Sequence, residues 1–193
     1  MAVTQIVSMN ADKESLQKSL QKISTDKILF VTSKDRIKDT LAIRNEIALT
    51  YRLPTEVKVL NENTGEVFAE LKKHTNAILN IIEHNDLNYY LLNASFLLGI
   101  PVYFSDGQGL QQLPTLSSRF KDVFCPDEIK ILESLRQEST HEELVAKTKL
   151  DNSLLFYYLY GKNSHTGLIK LGLVADKNDK ITLTEFGRLV VES

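Results

Sequence analysis

The stretch Lys27–Thr32, KILFVT, is apolar on both faces, and it restricts the possible folds more than any other feature of the chain. A strand with one wet face alternates polar and apolar residues, whereas one that is apolar throughout needs cover above and below it. The flanking segments provide helices for that cover. Residues 11–24 carry Leu16, Leu20 and Ile23 at helical spacing, and RIKDTLAIRNEIALTYR (36–52) predicts a second helix with Ile37, Leu41, Ala48 and Tyr51 inward. After Pro54, TEVKVLN alternates as a strand, and Asn63 with Glu66 has the spacing of a capping box that opens GEVFAELKKH. NAILNII, LNYYLLNASFLLG and PVYFSD then read as strand, helix and strand. Residues 3–8 form a short β-branched run, the least regular of the five strands. Strands alternating with helices predict an α/β fold over residues 1–106, a Rossmann-like parallel sheet with helices on both faces and right-handed crossovers.

The character of the chain changes at 107–120, GQGLQQLPTLSSRF, which is polar and turn-rich and reads as a linker. Beyond it, CPDEIKILESLRQE opens a helix with Pro126 at its first position and acids in its first turn. Ser139 and Glu142 have capping-box spacing before a second helix, and DNSLLFYYLYG forms a third. GLVADKNDKITLTEFGRLVVES reads as strand, charged turn, strand and a last helix starting near Thr184. Three helices followed by a hairpin predict a C-terminal winged helix-turn-helix domain over 121–193.

Bulk properties narrow the function classes. With 42% hydrophobic and 25% charged residues the chain has the composition of a globular protein, and a net charge of -2 advertises no polyanionic partner. The apolar stretch 87–104 is interrupted by Asn88, Asn93, Ser95, Gly99 and Pro101, so no membrane span is expected. The N-terminus MAVTQIVSMN lacks a basic region followed by an apolar core, and a cytoplasmic protein is the plain expectation. Cys125 is the only cysteine, which excludes an internal disulfide and leaves a zinc site without thiol partners. No motif calls for a cofactor or a metal.

In a helix-turn-helix the third helix lies in the major groove while the hairpin touches phosphates or the minor groove. Leu155 and Leu159 are its core positions, and Asn152, Ser153, Phe156, Tyr157 and Tyr160 form the outward set. Asn152 and Ser153 can hydrogen-bond base edges, and tyrosine can do so or pack on a thymine methyl. Lys149, Lys162, His165, Lys177 and Lys180 are the candidate phosphate contacts. Charge argues the other way: from Lys121 onward there are ten Lys and Arg against twelve Asp and Glu. The acids gather in the first two helices (Asp127, Glu128, Glu133, Glu138, Glu142 and Glu143), which leaves a basic face open. A protein-interaction adaptor that docks through the winged helix is the alternative.

The segment YYLYGKNSHTGLIKLGLV resembles the winged-helix part of archaeal regulators whose N-terminal half is a CRISPR-associated Rossmann fold, the CARF domain. The likeness rests on Gly161, Gly167, Leu168, Gly172, Leu173 and Val174. The N-terminal half is similar too, with a strand containing Asn80, a loop, an apolar helix and GIPVYF. The resemblance implies a transcription regulator that is a homodimer. It also implies a small nucleotide-like ligand, often a cyclic oligoadenylate, at the loops after the first and fourth strands, which alters DNA binding. In that family the second of these loops carries a Thr-Gly-Gly-Thr-like motif, whose glycines let backbone N–H groups approach phosphate at a helix N-terminus. This chain has Glu83, His84, Asn85 and Asp86 there. Carboxylates repel a phosphodiester and bulky side chains block close backbone approach, so the resemblance implies a degenerate or altered site with weak binding of cyclic tetra-adenylate. Asn85 and His84 could hold an adenine edge, or Asn85 or Asp86 could cap the following helix. Across the pocket, Ser8, Met9 and Asn10 after the first strand and Ser33 and Lys34 after the second offer hydroxyls and positive charge.

Glu83 beside His84 invites an acid–base account, yet no nucleophile, metal set or phosphate cradle accompanies them, so the sequence predicts no enzyme. A ring nuclease cleaving cyclic oligoadenylate is the weaker alternative. Helix 87–99 is apolar nearly all round: Leu87, Tyr90, Leu91, Ala94 and Leu98 form one stripe, and Tyr89, Leu92 and Phe96 lie off it. Such a helix is buried on more than one side, which predicts a homodimer through it.

Overall fold

The computed structural model describes residues 2–8, 12–74, 76–82, 86–106, 109–114, 119–162 and 164–193, the side chain of residue 106 excepted. Two compact units are present, Met1–Ser118 and Arg119–Ser193. The first contains β1 (Thr4–Ser8), α1 (Lys13–Lys22), β2 (Lys27–Thr32), α2 (Ile37–Tyr51), β3 (Thr55–Val59), α3 (Thr64–Leu71), β4 (Ala77–Ile82), α4 (Asp86–Leu98), β5 (Val102–Asp106) and β6 (Gly109–Gln112). The sheet order is β3-β2-β1-β4-β5-β6, with every neighbouring pair parallel except β5–β6. This is a Rossmann-like α/β sheet with helices on both faces, as the strand–helix alternation predicts.

The strand with the least regular sequence lies near the sheet centre, between β2 and β4. Its Gln5 is wholly buried, as are Asn80 on β4 and Ser19 on α1. A buried polar group is tolerated when its hydrogen bonds are satisfied inside, and here they form a chain. Thr25 Oγ1 donates to Gln5 Oε1 at 2.9 Å, Gln5 Nε2 donates to Ser19 Oγ at 3.1 Å, and Asn80 Nδ2 donates to the same oxygen at 2.8 Å. Ser19 passes its own proton to the Leu16 carbonyl at 2.8 Å, and Ser105 of β5 donates to Asn80 Oδ1 at 2.8 Å. The chain links three strands to α1.

Beside this polar band the same sheet face is apolar. Val7, Leu16, Ile28, Phe30, Ile47 and Ile82 form one buried cluster, with Leu20, Ile43, Tyr51, Leu53 and Val57 packed on its edge. The predicted inward stripe of α2 shifts accordingly. Its buried residues are Thr40 and Ile47, while Leu41 and Ala48 are only partly covered. Thr40 escapes an apolar-periodicity reading because its hydroxyl is satisfied in the core, by Thr32 Oγ1 at 2.9 Å and the Arg36 carbonyl at 3.0 Å. On the opposite face Ile6, Leu29, Val31, Leu79 and Ile81 are buried beneath α3 and α4.

The linker expected over 107–120 is corrected for part of its length, because Gly109–Gln112 is an antiparallel strand on β5. Asp106 pairs with Gly109, so two residues join the strands, the commonest hairpin length. The glutamines that read as linker sit on an edge strand, where one side is wet and polar residues are tolerated.

The second unit contains α5 (Pro126–Ser134), α6 (His141–Thr148), α7 (Asn152–Tyr160), β7 (Gly161–Lys162), β8 (His165–Thr166), β9 (Val174–Lys177), β10 (Lys180–Leu183) and α8 (Glu185–Glu192). Leu155 and Leu159 are fully buried with Ile131, Leu132, Leu144, Leu168 and Leu173. The capping box of α6 is one residue later than the spacing predicts. Thr140 Oγ1 accepts from the Glu143 N–H and the Glu143 carboxylate accepts from the Thr140 N–H, because Ser139 exchanges backbone hydrogen bonds with Ile181 of β10. Asn178 and Asp179, at φ of 53° and 61°, form the tight turn between β9 and β10, residue types that tolerate the left-handed region. Gly161 and Gly167 lie back to back. A Cβ on Gly167 would fall 2.3 Å from the Gly161 nitrogen, so only glycine allows α7 to run into the β7–β8 hairpin.

Among the described residues no helix is long and apolar enough to cross a membrane, and no group of three or more His, Cys, Asp or Glu is placed to hold a metal ion.

The polar chain makes a direct prediction. Asn80→Leu removes the acceptor of Ser105 and a donor to Ser19, and should destabilise the first unit by about 1–3 kcal/mol per stranded group. The measurement is urea unfolding followed by circular dichroism; an unchanged midpoint would mean that the chain does not support the sheet.

Candidate functional site

In a 3-2-1-4-5 order the connections leave β1 and β4 in opposite directions, so a crevice opens at their carboxyl ends. Ser8 and Ile81 are register partners there. Met9, Asn10, Glu83, His84 and Asn85, which follow β1 and β4 in the sequence, lie outside the described residues. The ground beneath them is described. Ser8 Oγ, wholly buried, donates to Oδ1 of the buried Asn88 on α4, tying the end of β1 to the start of that helix. Asp86 is the first residue of α4 and is exposed.

Asp12, which the sequence reading passed over, closes the other side. It is the N-cap of α1: one carboxylate oxygen accepts from the Glu14 N–H at 3.0 Å and the Ser15 N–H at 3.3 Å, and the other from the Ser15 hydroxyl. The Ser15 hydroxyl above all, with these N–H groups and Lys18, holds the Asp12 carboxyl below the usual carboxylate range. The signal was present in the sequence as an Asp followed three residues later by Ser ahead of a helix. The N-termini of α1 and α4 are where an α/β protein would seat a phosphate. In this chain each carries a carboxylate of its own.

At the end of β2, Lys34 is exposed and Ser33 is half-buried. The Ser33 hydroxyl is hydrogen-bonded to the Asp35 carboxylate and is the leading cause of that group's depressed pKa, ahead of its backbone N–H and Arg36. Of the two candidates after β2, only Lys34 therefore presents an unengaged polar head in the described structure.

In the second unit Asp151 caps α7, accepting from the Leu154 N–H at 2.8 Å, and leaves Asn152 and Ser153 exposed at the helix start. Tyr157, 37% exposed, stacks on His165 with ring centroids 4.4 Å apart and 16° between planes. His165 Nε2 lies 3.5 Å from the Glu128 carboxylate, an ion-pair separation without hydrogen-bond geometry. Phe156, half exposed, lies between His141 at 4.3 Å and Tyr160 at 5.1 Å. Tyr160 donates to Asp176 at 2.5 Å, and burial, then Asp176, push its phenol up to about 12. Lys149, Lys162 and Lys177 are exposed, whereas Lys180 is ion-paired with Glu138. The structure thus gathers Asn152, Ser153, Phe156 and Tyr157 on one exposed helix surface and engages Tyr160 and Lys180 elsewhere.

No protein-family model matches the sequence, and no curated protein does. A solved structure shares its fold. Can2 from Sulfobacillus thermosulfidooxidans, in complex with cyclic tetra-adenylate, aligns with a TM-score of 0.50 and 13% identity. The alignment covers 96% of this chain, which spans 60% of Can2. A protein from Vibrio cholerae aligns over 98% of this chain and 64% of its own, with a TM-score of 0.46 and 8% identity. A type III CRISPR defence DNA nuclease activated by cyclic oligoadenylate aligns over 66% of this chain and 22% of its own, with a TM-score of 0.44 and 11% identity. The expectation of a non-enzyme is corrected: the chain shares its fold with Can2 and spans only 60% of it, so the lack of a nucleophile beside one loop does not exclude an enzyme. The N-terminal unit of this chain has a Rossmann-like α/β fold, and the chain shares its overall fold with Can2.

Proposed function

We propose that the chain joins a CARF-type sensor, residues 1–106 with β6, to a winged helix, residues 121–193, that engages DNA as a transcription regulator. The observation that carries this reading is the 3-2-1-4-5 strand order, which brings the carboxyl ends of β1 and β4 side by side. Cyclic tetra-adenylate in the neighbouring Can2 structure indicates the ligand class, a cyclic oligonucleotide. Asp12 and Asp86 at the two helix N-termini, with Glu83 next after β4 in the sequence, make this version of the site electrostatically poor for phosphate. The winged-helix reading is supported by α5–α7 followed by the β9–β10 hairpin, to which Ser139 adds one isolated bridge. DNA is read from Asn152, Ser153 and Tyr157, with Lys149, Lys162 and Lys177 on phosphates. Two copies pair through α4, where Tyr89, Leu92 and Phe96 are 67%, 37% and 42% exposed along one side of the helix. A row of three large apolar side chains on one helix face is the mark of an interface.

Three experiments test the parts separately. Calorimetry should show weak binding of cyclic tetra-adenylate, strengthened by Glu83→Gly with Asp86→Gly; at about 4 Å in a water-like dielectric each carboxylate contributes about 1 kcal/mol of repulsion, or roughly fivefold in affinity. Tight binding by the natural chain would show that these carboxylates turn away from the ligand. In mobility shifts on the DNA upstream of the protein's own gene, Asn152→Ala and Tyr157→Ala should relax sequence preference at a cost of about 1–3 kcal/mol each. Lys177→Ala should weaken all sequences alike and lower the salt slope by about one. Unchanged affinity in every variant would exclude this helix from DNA recognition. Light scattering should report a dimer at micromolar concentration, converted to a folded monomer by Tyr89→Glu or Phe96→Glu, and a monomeric natural chain would reject the α4 interface.

A further inference from the structure

Beside α7 lies a cleft of about 380 Å³ whose lining is unlike that of a DNA-binding surface. One wall is a row of rings: His141 from the start of α6, then Phe156 and Tyr160 one helical turn apart on α7, with successive centroids 4.3 and 5.1 Å apart. The remaining wall carries Glu142, Asp176 and Asp179. Among the described residues that line it there is no lysine or arginine. Lys180, the nearest cation in sequence to Asp179, is held by Glu138. Tyr160 donates its proton to Asp176 Oδ2, which leaves Oδ1 able to accept a further donor. An aromatic wall facing three carboxylates attracts a cation by two mechanisms, the ring quadrupole and direct charge.

We propose that this cleft receives the guanidinium group of an arginine side chain presented by a protein partner. A flat, weakly hydrated guanidinium stacks on an aromatic face while its edge donates to carboxylates, and both kinds of side chain line this one cleft. An ammonium group would use the charge and forgo the stacking. A bare metal ion is disfavoured, because the carboxylates are not grouped as a ligand set. DNA is disfavoured on this flank, since three carboxylates face any phosphate brought near. Phe156 is half exposed and Glu142, Asp176 and Asp179 are exposed, so the cleft holds the head of a side chain rather than enclosing a whole small molecule. This inference stands apart from the DNA reading, which uses Asn152, Ser153 and Tyr157.

The test is amide NMR of the full-length protein titrated with a blocked Gly-Arg-Gly peptide and, separately, with its citrulline analogue, spermidine and a short DNA duplex. The arginine peptide should shift resonances of residues 140–142, 156–160 and 176–181. Its citrulline analogue, isosteric but uncharged, should bind at least about tenfold more weakly. Glu142→Gln with Asp179→Asn, which keeps the Tyr160–Asp176 hydrogen bond and a residue type suited to the left-handed turn, should weaken the arginine peptide by a similar factor with an unchanged circular dichroism spectrum. Phe156→Leu should do so as well. Equal binding of citrulline would overturn the proposal, as would arginine-induced shifts away from the cleft. Tighter binding of spermidine would replace it with a polyamine site, and duplex shifts centred on these residues would replace it with a DNA surface.

Discussion

The first unit depends on one buried run of hydrogen bonds, Thr25 to Gln5 to Ser19 to Asn80 to Ser105. A central strand with a glutamine facing its core would normally be unstable, because the stranded amide loses water without replacement. Here the amide is satisfied at both ends, by Ser19 of the helix above and by Thr25 of the loop that follows it, and Ser19 is shared with Asn80 of the next strand. The same run therefore sets the position of α1 over β1, β4 and β5. It also specifies register, since a slip of one residue would carry Gln5 and Asn80 to the opposite face, away from Ser19. The apolar cluster around Phe30 and Ile47 contributes most of the burial, and the polar run selects one arrangement of it.

That arrangement places β1 beside β4 and makes the crevice at their carboxyl ends. Two helices begin at this edge, and in a phosphate-binding protein their N–H groups would be free for the ligand. In this chain Asp12 takes up the N–H groups of α1, and Asp86 stands at the start of α4. The fold keeps this crevice while carboxylates of the chain itself stand at both helix N-termini. The depressed pKa of Asp12, caused first by the Ser15 hydroxyl, keeps that seat charged well into acid.

In the second unit one helix surface faces two environments. Toward the β7–β8 hairpin, Tyr157 lies against His165 beside exposed polar residues; toward α6 and the β9–β10 turn, Phe156 and Tyr160 lie among carboxylates. The division follows from the four-residue spacing of Phe156 and Tyr160, which puts both rings on the same side. An acidic composition does not by itself oppose nucleic-acid binding when the acids gather on one flank. Their clustering does decide which part of the helix phosphate can approach.

Much of the fold was legible in the sequence because burial leaves periodic marks. KILFVT announced a strand covered on both faces, the helices between strands showed their 3.6-residue repeat, and Leu155 and Leu159 marked the inner side of α7. What escaped were the residues whose role comes from a distant partner. Gln5, Ser19, Asn80 and Thr40 are polar by composition and core by position, and only the packed structure supplies the groups that satisfy them. Ser139 has the spacing of a cap but is held in an isolated bridge, because Ile181 lies opposite it. Gly109–Gln112 was read as linker and is an edge strand, because the sheet offers it a free edge. Local spacing determined which segments are helix and strand, since that preference is set by neighbours along the chain. The tertiary structure alone decided which polar side chains are buried and which carboxylates share a cleft, since hydrogen bonds and electrostatic fields act between residues far apart in sequence.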